Sequence, residues 1–435
     1  MGIGRRMKAS RRKAKGGRLQ FLSVGVAFCR PPSTLSARGR LLAAYSLRSM
    51  LPPGSLIGLL GGGQLARMTA LAARRMGYRL RVFDPAGDGA PAAPVCEEAV
   101  GAKFDDAAAL ETFARGLDVA TYEFENIPVA ALEIVERACP VHPRPSALEV
   151  CQDREREKTF LHRHGFPHAP FRIVTGPVEL AEAVAALGTP CVLKTTGGGY
   201  DGKGQLKITA DLDPAAAWEQ WSGGQARRGV LEAWVDFDAE LSVLCARGAR
   251  GETLPFPAFE NIHTRHILDV TICPARFDPA VLREAEAIAR TITEALDVQG
   301  LLAVEMFLAR DGRVLVNELA PRPHNSGHLT FDASLTSQFE QHARAVCGLP
   351  LGGVDLLRPA VMVNLLGDLW SADGLSTPDW TPVLSEPSAK LHLYGKARAK
   401  PGRKMGHFCV LAATTDEALV KARAIKARLD DGAAK

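Results

Sequence analysis

Apolar positions fall in short runs separated by glycine- and proline-rich breaks, and their spacing predicts three zones. Leu56–Leu60 is a continuous apolar run stopped by Gly61-Gly62-Gly63, the pattern of a buried strand entering a tight turn. Gln64–Met76 then repeats Leu65, Met68, Leu71, Ala72 and Met76 at helical spacing, with Gly77 placed to cap it. Leu80–Phe83 and Val119–Phe124 read as further strands, and Pro128–Ala138 as a helix. This alternation predicts a Rossmann-like α/β domain over residues 55–150. From 151 to 348 the pattern mixes a charged helix (Gln152–His164), helices at Glu179–Leu187 and Arg283–Leu296, and strands at Pro190–Lys194, Gly229–Val235 and Glu240–Ala246. Beyond Pro350, short strands at Ala360–Leu366, Lys390–Leu393 and His407–Leu411 predict a small β-rich domain over 349–435.

The sharpest local signal lies in the second zone. Two apolar runs, Ala303–Ala309 and Val314–Leu319, flank Asp311-Gly312, a two-residue hairpin turn signal. A type I′ turn there pairs Arg310 with Arg313 and sets Glu305 opposite Glu318. Like charges directly opposed on a sheet are destabilising. A hard divalent cation with carboxylate ligands resolves the conflict; a solvent-wetted edge hairpin is the alternative. Asn317 adjoins Glu318, and PRPHNSGH (321–328) adds a cation and hydrogen-bonding groups.

Two other stretches invite anions. Lys194, at a strand end, leads into TTGGGYDGKGQ (195–205), a loop too glycine-rich for a helix and too polar for a core. Backbone N–H groups freed by glycine cradle phosphates, and lysines supply charge; a mobile surface loop is the alternative. YGKARAKPGRKMGH (394–407) carries five cations, Lys396, Arg398, Lys400, Arg403 and Lys404, suiting an anionic substrate or a solvated tip. Glu232 and Glu240 flank the turn 236–238, where acids can hold a purine amino group or ribose hydroxyls, or serve as edge-strand polars. Glu260, Asn261, His263 and His266 crowd Pro257–Leu268, and no carboxylate or cysteine completes a zinc set with the two histidines. Glu123 and Glu125 share a face by the period-two rule. Gly61-x-Gly63-x-x-Ala66 with Asp84 fits the loose dinucleotide pattern, so an NAD-dependent oxidoreductase is an alternative at this point.

Composition narrows the class. The 435 residues are 46% hydrophobic and 23% charged, an ordinary globular profile with room for two or three domains. No apolar run approaches membrane-spanning length. The nine cysteines are scattered without metal spacing, as in a reducing cytoplasm. The net charge of +5 is misleading: residues 1–54 hold 12 Lys/Arg and no acid, leaving 41 basic against 48 acidic residues, a net of −7. An acidic body argues against nucleic-acid binding. Residues 1–54 read as a basic extension, disordered or the product of a gene model begun upstream of Met50; a transit peptide or a basic nucleic-acid-binding arm would share the composition.

Taken together, GGGQLARM, YDGKGQ, ENIHTRHI, NELAPRPHNSGH and KPGRKMGH, in that order over about residues 54–430, resemble the ATP-grasp superfamily. Within it they resemble the 5-(carboxyamino)imidazole ribonucleotide synthetase family of purine biosynthesis. The resemblance implies an ATP-grasp fold behind a Rossmann-like domain, and a cytoplasmic ligase carboxylating aminoimidazole ribonucleotide with ATP and bicarbonate through carboxyphosphate. By resemblance, Arg154, Lys194 and the loop Gly199, Gly202, Gly204 and Gln205 hold ATP phosphates. Glu232, Ala233, Trp234 and Val235 form the adenine hinge, Glu240 meets the ribose, and His263 matches an ATP-site position. Glu305 and Glu318 carry Mg²⁺ (or Mn²⁺) beside Asn317, and Arg322 grips bicarbonate or carboxyphosphate. Tyr200, Asp201 and Lys203 face the imidazole, Lys396, Arg403 and Lys404 bind the 5′-phosphate, and Glu123 or Glu125 contacts the nucleotide. A homodimer passing its product to a separate mutase is expected, with neither nucleic acid nor membrane as partner. Another ATP-grasp ligase, such as a formate-dependent glycinamide ribonucleotide transformylase, or a non-catalytic nucleotide sensor, is the alternative.

Overall fold

A computed structural model describes residues 50–198 and 203–433, and the readings made for residues 1–49 lie outside the described residues. Four parallel strands, β1 (Leu56–Leu60), β2 (Arg79–Phe83), β3 (Glu98–Val100) and β4 (Val119–Tyr122), form the first sheet in the order β3-β2-β1-β4. The order reverses between β1 and β4, so the carboxyl ends of these neighbours open one crevice, with Gly61–Gly63 on one lip and Glu123–Glu125 on the other. The helix Gln64–Arg75 buries Leu65, Ala66, Met68, Ala70, Ala72 and Ala73; of the positions its spacing singled out, Leu65, Met68 and Ala72 are buried, whereas Leu71 is exposed and Met76 half-buried past the helix end.

A second sheet is antiparallel: β5 (Phe171–Val174), β6 (Cys191–Thr195), β7 (Gln205–Ile208) and β8 (Gly229–Ala233), ordered β5-β8-β6-β7. Helices Pro177–Leu187 and Pro214–Ser222 pack on it through Leu180, Ala183, Trp218 and Trp221. The third sheet has nine strands: β9 (Phe237–Arg247), β10 (Thr253–Pro255), β11 (Phe259–Thr264), β12 (Ile267–Cys273), β13 (Gly300–Ala309), β14 (Val314–Ala320), β15 (Ala360–Leu366), β16 (Ala389–Leu393) and β17 (Lys404–Leu411). Its order is β14-β13-β9-β11-β12-β15-β17-β16, with β10 beside β9. The C-terminal strands thus continue this sheet through the β12–β15 pairing, and the helix Thr415–Ala433 covers them with Ala418, Leu419, Ala422, Ile425 and Leu429.

The hairpin turn differs from the reading. Ala309 N–H bonds the Arg313 carbonyl and Gly312 N–H the Ala309 carbonyl, so three residues, Arg310 to Gly312, form the loop, with Gly312 at φ 86°. Arg310 therefore does not pair with Arg313. Near the turn Leu308 faces Val314 and Met306 faces Val316, one register step from expectation. A bulge then inserts Asn317, and beyond it Glu305 lies opposite Glu318 as predicted. Two deviations cancel: the longer loop shifts the register and the bulge restores it.

Candidate functional site

The bulge decides what the hairpin presents. Asn317 and Glu318 are half-buried between the buried Val316 and Leu319, so two consecutive polar residues stand beside Glu305. Glu305 accepts a hydrogen bond from His324 Nε2 at 2.9 Å. His324 Nδ1 faces the Ser326 hydroxyl at 2.9 Å and accepts from the Ser326 N–H, which assigns the proton to Nε2. Burial opposes ionisation of Glu305, yet His324 brings its pKa down to about 2. Glu318 behaves oppositely: burial pushes its pKa up, against the pull of Arg154, whose Nη2 lies 3.8 Å away. Opposed carboxylates of unlike basicity, rimmed by an amide, form an oxygen-donor set suited to a hard cation. Among the described residues, no group of three or more His, Cys, Asp or Glu is placed to hold a metal ion.

A cationic wall faces this pair. Glu232, deeply buried, takes Lys194 Nζ at 3.0 Å, Lys158 Nζ at 3.4 Å and Arg154 at 3.8 Å. Burial opposes its charge, but the three cations hold its pKa at about 2. Arg154 also faces Glu318 and Glu157, and Lys158 faces Glu157, so cations and carboxylates interlock along this wall. Arg154, Thr195, Thr196, Gly197, Gly198 and Glu318 line the adjoining cleft. Glu232 is thus a buried ion-pair centre, not an edge-strand polar. Lys158 was not singled out from sequence; its position four residues after Arg154 on the helix Arg154–Arg163 was the available signal.

Gly204 ends the glycine loop with φ 76°, its carbonyl accepting from Thr195 N–H and Trp221 Nε1, while Gln205 pairs with Lys194 across β6–β7. Lys203 belongs to the same return. Gly199, Tyr200, Asp201 and Gly202 lie outside the described residues. β8 ends at Ala233, so Trp234 and Val235 form a linker, not strand. Ala233 and Trp234 donate to the Pro170 and Pro190 carbonyls. Beyond the linker, Glu240 Oε2 lies 2.6 Å from His263 Nδ1; burial lowers the histidine's pKa, but this contact raises it overall. Asn261 and Glu260, from the same motif, serve the sheet: Asn261 bonds Ser242 and Thr271, and Glu260 pairs with Arg276.

The first domain closes the site from the other side. Glu123 accepts from the Gly63 and Ala66 N–H groups, and Asp84 accepts from Gly62 N–H at 2.8 Å. A Cβ on Gly63 would collide with the Glu123 carboxylate. The protein's own carboxylates thus occupy the loop where a dinucleotide would place its pyrophosphate, and their charge repels one. This overturns the oxidoreductase alternative. Glu125 instead reaches across to Arg322: Nε at 2.6 Å, Nη2 at 2.5 Å, with Nη1 on the Pro323 carbonyl at 3.0 Å. Burial opposes the Glu125 charge, yet Arg322 draws its pKa below the usual range.

The basic C-terminal segment is not all loop, since Lys404 opens β17. Lys396 is half-buried, donates to the Lys404 carbonyl at 2.6 Å and stands over the Tyr394 ring. Burial, then Arg403, pull its pKa down to about 8 against the attraction of Glu123. Lys404 acts electrostatically on Glu305 and His263, so the segment borders the carboxylate pair. Arg403 is exposed, its Nη1 on the Arg398 carbonyl.

The fold and cleft define an ATP-grasp protein: residues 159–339 match the ATP-grasp domain, 55–152 the ribonucleotide synthetase preATP-grasp domain, and 360–421 the phosphoribosylaminoimidazole carboxylase C-terminal domain. N5-carboxyaminoimidazole ribonucleotide synthase of Bacillus subtilis is 45% identical over 372 residues, 85% of this chain and 95% of the relative. The chain belongs to the N5-carboxyaminoimidazole ribonucleotide synthase family. A crystal structure of an ADP complex of such a synthetase matches with TM-score 0.81 and 42% identity over 89% of this chain and all of that one. The Aspergillus clavatus enzyme, solved with ADP and 5-aminoimidazole ribonucleotide, matches with TM-score 0.78 and 31% identity over 87% of this chain and 99% of that one.

Proposed function

We propose that this protein is an ATP-dependent ligase that carboxylates the amine of 5-aminoimidazole ribonucleotide with bicarbonate in purine biosynthesis. The observation that carries the reading is the opposed Glu305–Glu318 pair, with Arg154 3.8 Å from Glu318 in one cleft and Lys194 joined to Arg154 through Glu232. Arg154, Lys194, Gly204 and Gln205 engage the ATP phosphates, with Gly199 and Gly202 assigned by motif alone. Glu232 to Val235 and Glu240 border the purine and ribose, and His263 orients Glu240. Glu305 and Glu318, with Asn317 beside them, would hold Mg²⁺, which would neutralise charge on the β- and γ-phosphate oxygens as the γ-phosphoryl passes to bicarbonate. Bicarbonate attacks that phosphorus, ADP leaves, and carboxyphosphate forms. The ribonucleotide amine then takes the carboxyl group, releasing phosphate and a proton. Arg322, preoriented by Glu125, presents a planar guanidinium to the oxyanion. Lys396, Arg403 and Lys404 take the 5′-phosphate, with Glu123 beside Lys396, and Tyr200, Asp201 and Lys203 face the imidazole. A cytoplasmic homodimer handing its product to a separate mutase completes the reading; among the described residues no helix is long and apolar enough to cross a membrane.

The test supplies bicarbonate or formate as sole small anion with each ribonucleotide in turn. ADP release should require 5-aminoimidazole ribonucleotide and a divalent cation, and labelled bicarbonate should enter the product. Release tracking formate would sink this reading.

Lys396 gives a pH signature. With its free-enzyme pKa near 8, it loses charge as pH climbs through that value. KM for the ribonucleotide should rise above pH 8 while KM for ATP stays level. Lys396→Ala should abolish the trend and raise the ribonucleotide KM by about 10- to 150-fold, the worth of a contact of about 1.5–3 kcal/mol. Equal damage to the ATP KM would place Lys396 elsewhere in the site.

A further inference from the structure

β14 is the edge strand of the large sheet, so its outward backbone groups have no strand partner, and the bulge at Asn317 frees more. One segment meets three of them. Val316 N–H bonds the Pro167 carbonyl at 2.8 Å, Lys158 Nζ donates to the Asn317 carbonyl at 2.9 Å, and Leu319 N–H donates to Glu157 Oε2 at 2.8 Å. Arg154, Glu157 and Lys158 stand at i, i+3 and i+4, one helix face, and grip Glu318, Leu319 and Asn317 respectively. Glu157 is 1% exposed and Lys158 0%. Burying an acid and a lysine to that degree is costly unless each is tied to a partner; both hold the backbone on either side of Glu318, and Lys158 also pairs with Glu232.

We propose that Glu157 and Lys158 are positioning residues that clamp the bulge and thereby set Glu318 against Glu305. This rests on the assignment of that pair to a divalent cation. Lys158 also ties the clamp to Glu232, so the hairpin and the β8 end are held by one amine. Glu157 lines the cleft itself, which leaves a direct charge role as the competing explanation.

Two conservative variants separate the two explanations. Glu157→Gln keeps an acceptor at the same reach and removes the charge; Glu157→Asp keeps the charge and withdraws the acceptor by one methylene. Mn²⁺ binding to the protein with ADP is followed by electron paramagnetic resonance of free Mn²⁺, and backbone hydrogen exchange is followed across 314–320. The clamp requires Glu157→Gln to stay near the parent in both. Glu157→Asp should exchange faster in that segment and lose about 10–100-fold in Mn²⁺ affinity, the usual cost of disturbing a group that orients metal ligands. The reverse order of the variants overturns the proposal, as does faster exchange in Glu157→Asp with unchanged Mn²⁺ affinity, or no change in either variant. A parent protein that binds no Mn²⁺ sinks the metal assignment and the functional half of the proposal with it, while the exchange contrast still decides whether Glu157 clamps the strand.

Discussion

Glu318→Gln is expected to abolish turnover while leaving the fold as stable as before or firmer. A bound cation supplies several kcal/mol of charge stabilisation in phosphoryl transfer. At about 1.4 kcal/mol per decade, losing it costs roughly 10³-fold in kcat. The stability sign follows from burial. Glu318 ionises reluctantly in the folded chain, so above its unfolded value near 4.5 its charge is a net cost that the amide removes. Glu305→Gln should lose as much activity but behave differently on heating. Its folded pKa of about 2 lies below the unfolded 4.5, so it contributes stability that is present above 4.5 and lost as pH falls toward 2. Removing that carboxylate sacrifices its bond from His324, worth about 1.5–3 kcal/mol for a hydrogen bond to a charged group. Melting curves at pH 7 should therefore separate the two variants, Glu305→Gln below the parent and Glu318→Gln at or above it. Retained turnover with a double-digit loss of Tm in either would make the pair structural. Repulsion between the two charges alone predicts the same direction for both, and the unequal surroundings of the two residues are what break that symmetry.

How far the sequence reached depends on which physics each element uses. Leu56–Leu60, Ala360–Leu366 and the helix starting at Gln64 follow period and glycine stops, and their bounds came out at or within a residue of the structure. The Glu305–Glu318 opposition was legible, but through a turn assumed to have two residues; neither the third loop residue nor the compensating Asn317 bulge has a composition signal. Glu157 and Lys158 stayed invisible because they sit in QDREREKTFLHRH, where a run of charges reads as a solvated face. Only tertiary packing shows that one side of that helix lies on an edge strand and must satisfy it. The helices Gln338–Val346 and Thr415–Ala433 were missed for another reason. The first buries Gln338, Gln341 and His342 along with its apolar residues, which blurs its stripe, whereas the second does carry Ala418, Ala422, Ile425 and Leu429 at helical spacing, a signal present in the sequence. Glu123 and Glu125 were read together from their shared face, yet the two do different things. One holds the glycine loop and the other reaches Arg322, a split made by the crevice between β1 and β4.

Arg322→Met should cost both activity and stability, and the two losses should come apart in a double variant. The guanidinium gives two nitrogens to Glu125 and the third to the Pro323 carbonyl, all at 2.5–3.0 Å. Removing it strands a carboxylate that is about three-quarters buried, which costs about 1–3 kcal/mol. It also removes the one planar cation proposed to face the oxyanion. Glu125→Gln placed on top should return most of the stability, because an amide buried there no longer needs a counter-charge, while turnover stays roughly 10³-fold down for want of the oxyanion contact. The pH dependence gives an independent check. In the parent, Glu125 has a depressed pKa, so its stabilising contribution is present above about 4.5 and fades as pH drops below that value. Without Arg322 the depressing charge is gone and burial alone acts, raising the same pKa. The stranded carboxylate then destabilises most at neutral pH and is relieved on acidification. The difference in Tm between parent and Arg322→Met should therefore shrink as pH falls from 7 toward 4.5, and in the Glu125→Gln background it should be flat. A double variant that regains turnover together with stability would assign Arg322 to the domain contact alone, and a Tm difference that widens on acidification would refute the pairing as the source of the lost stability.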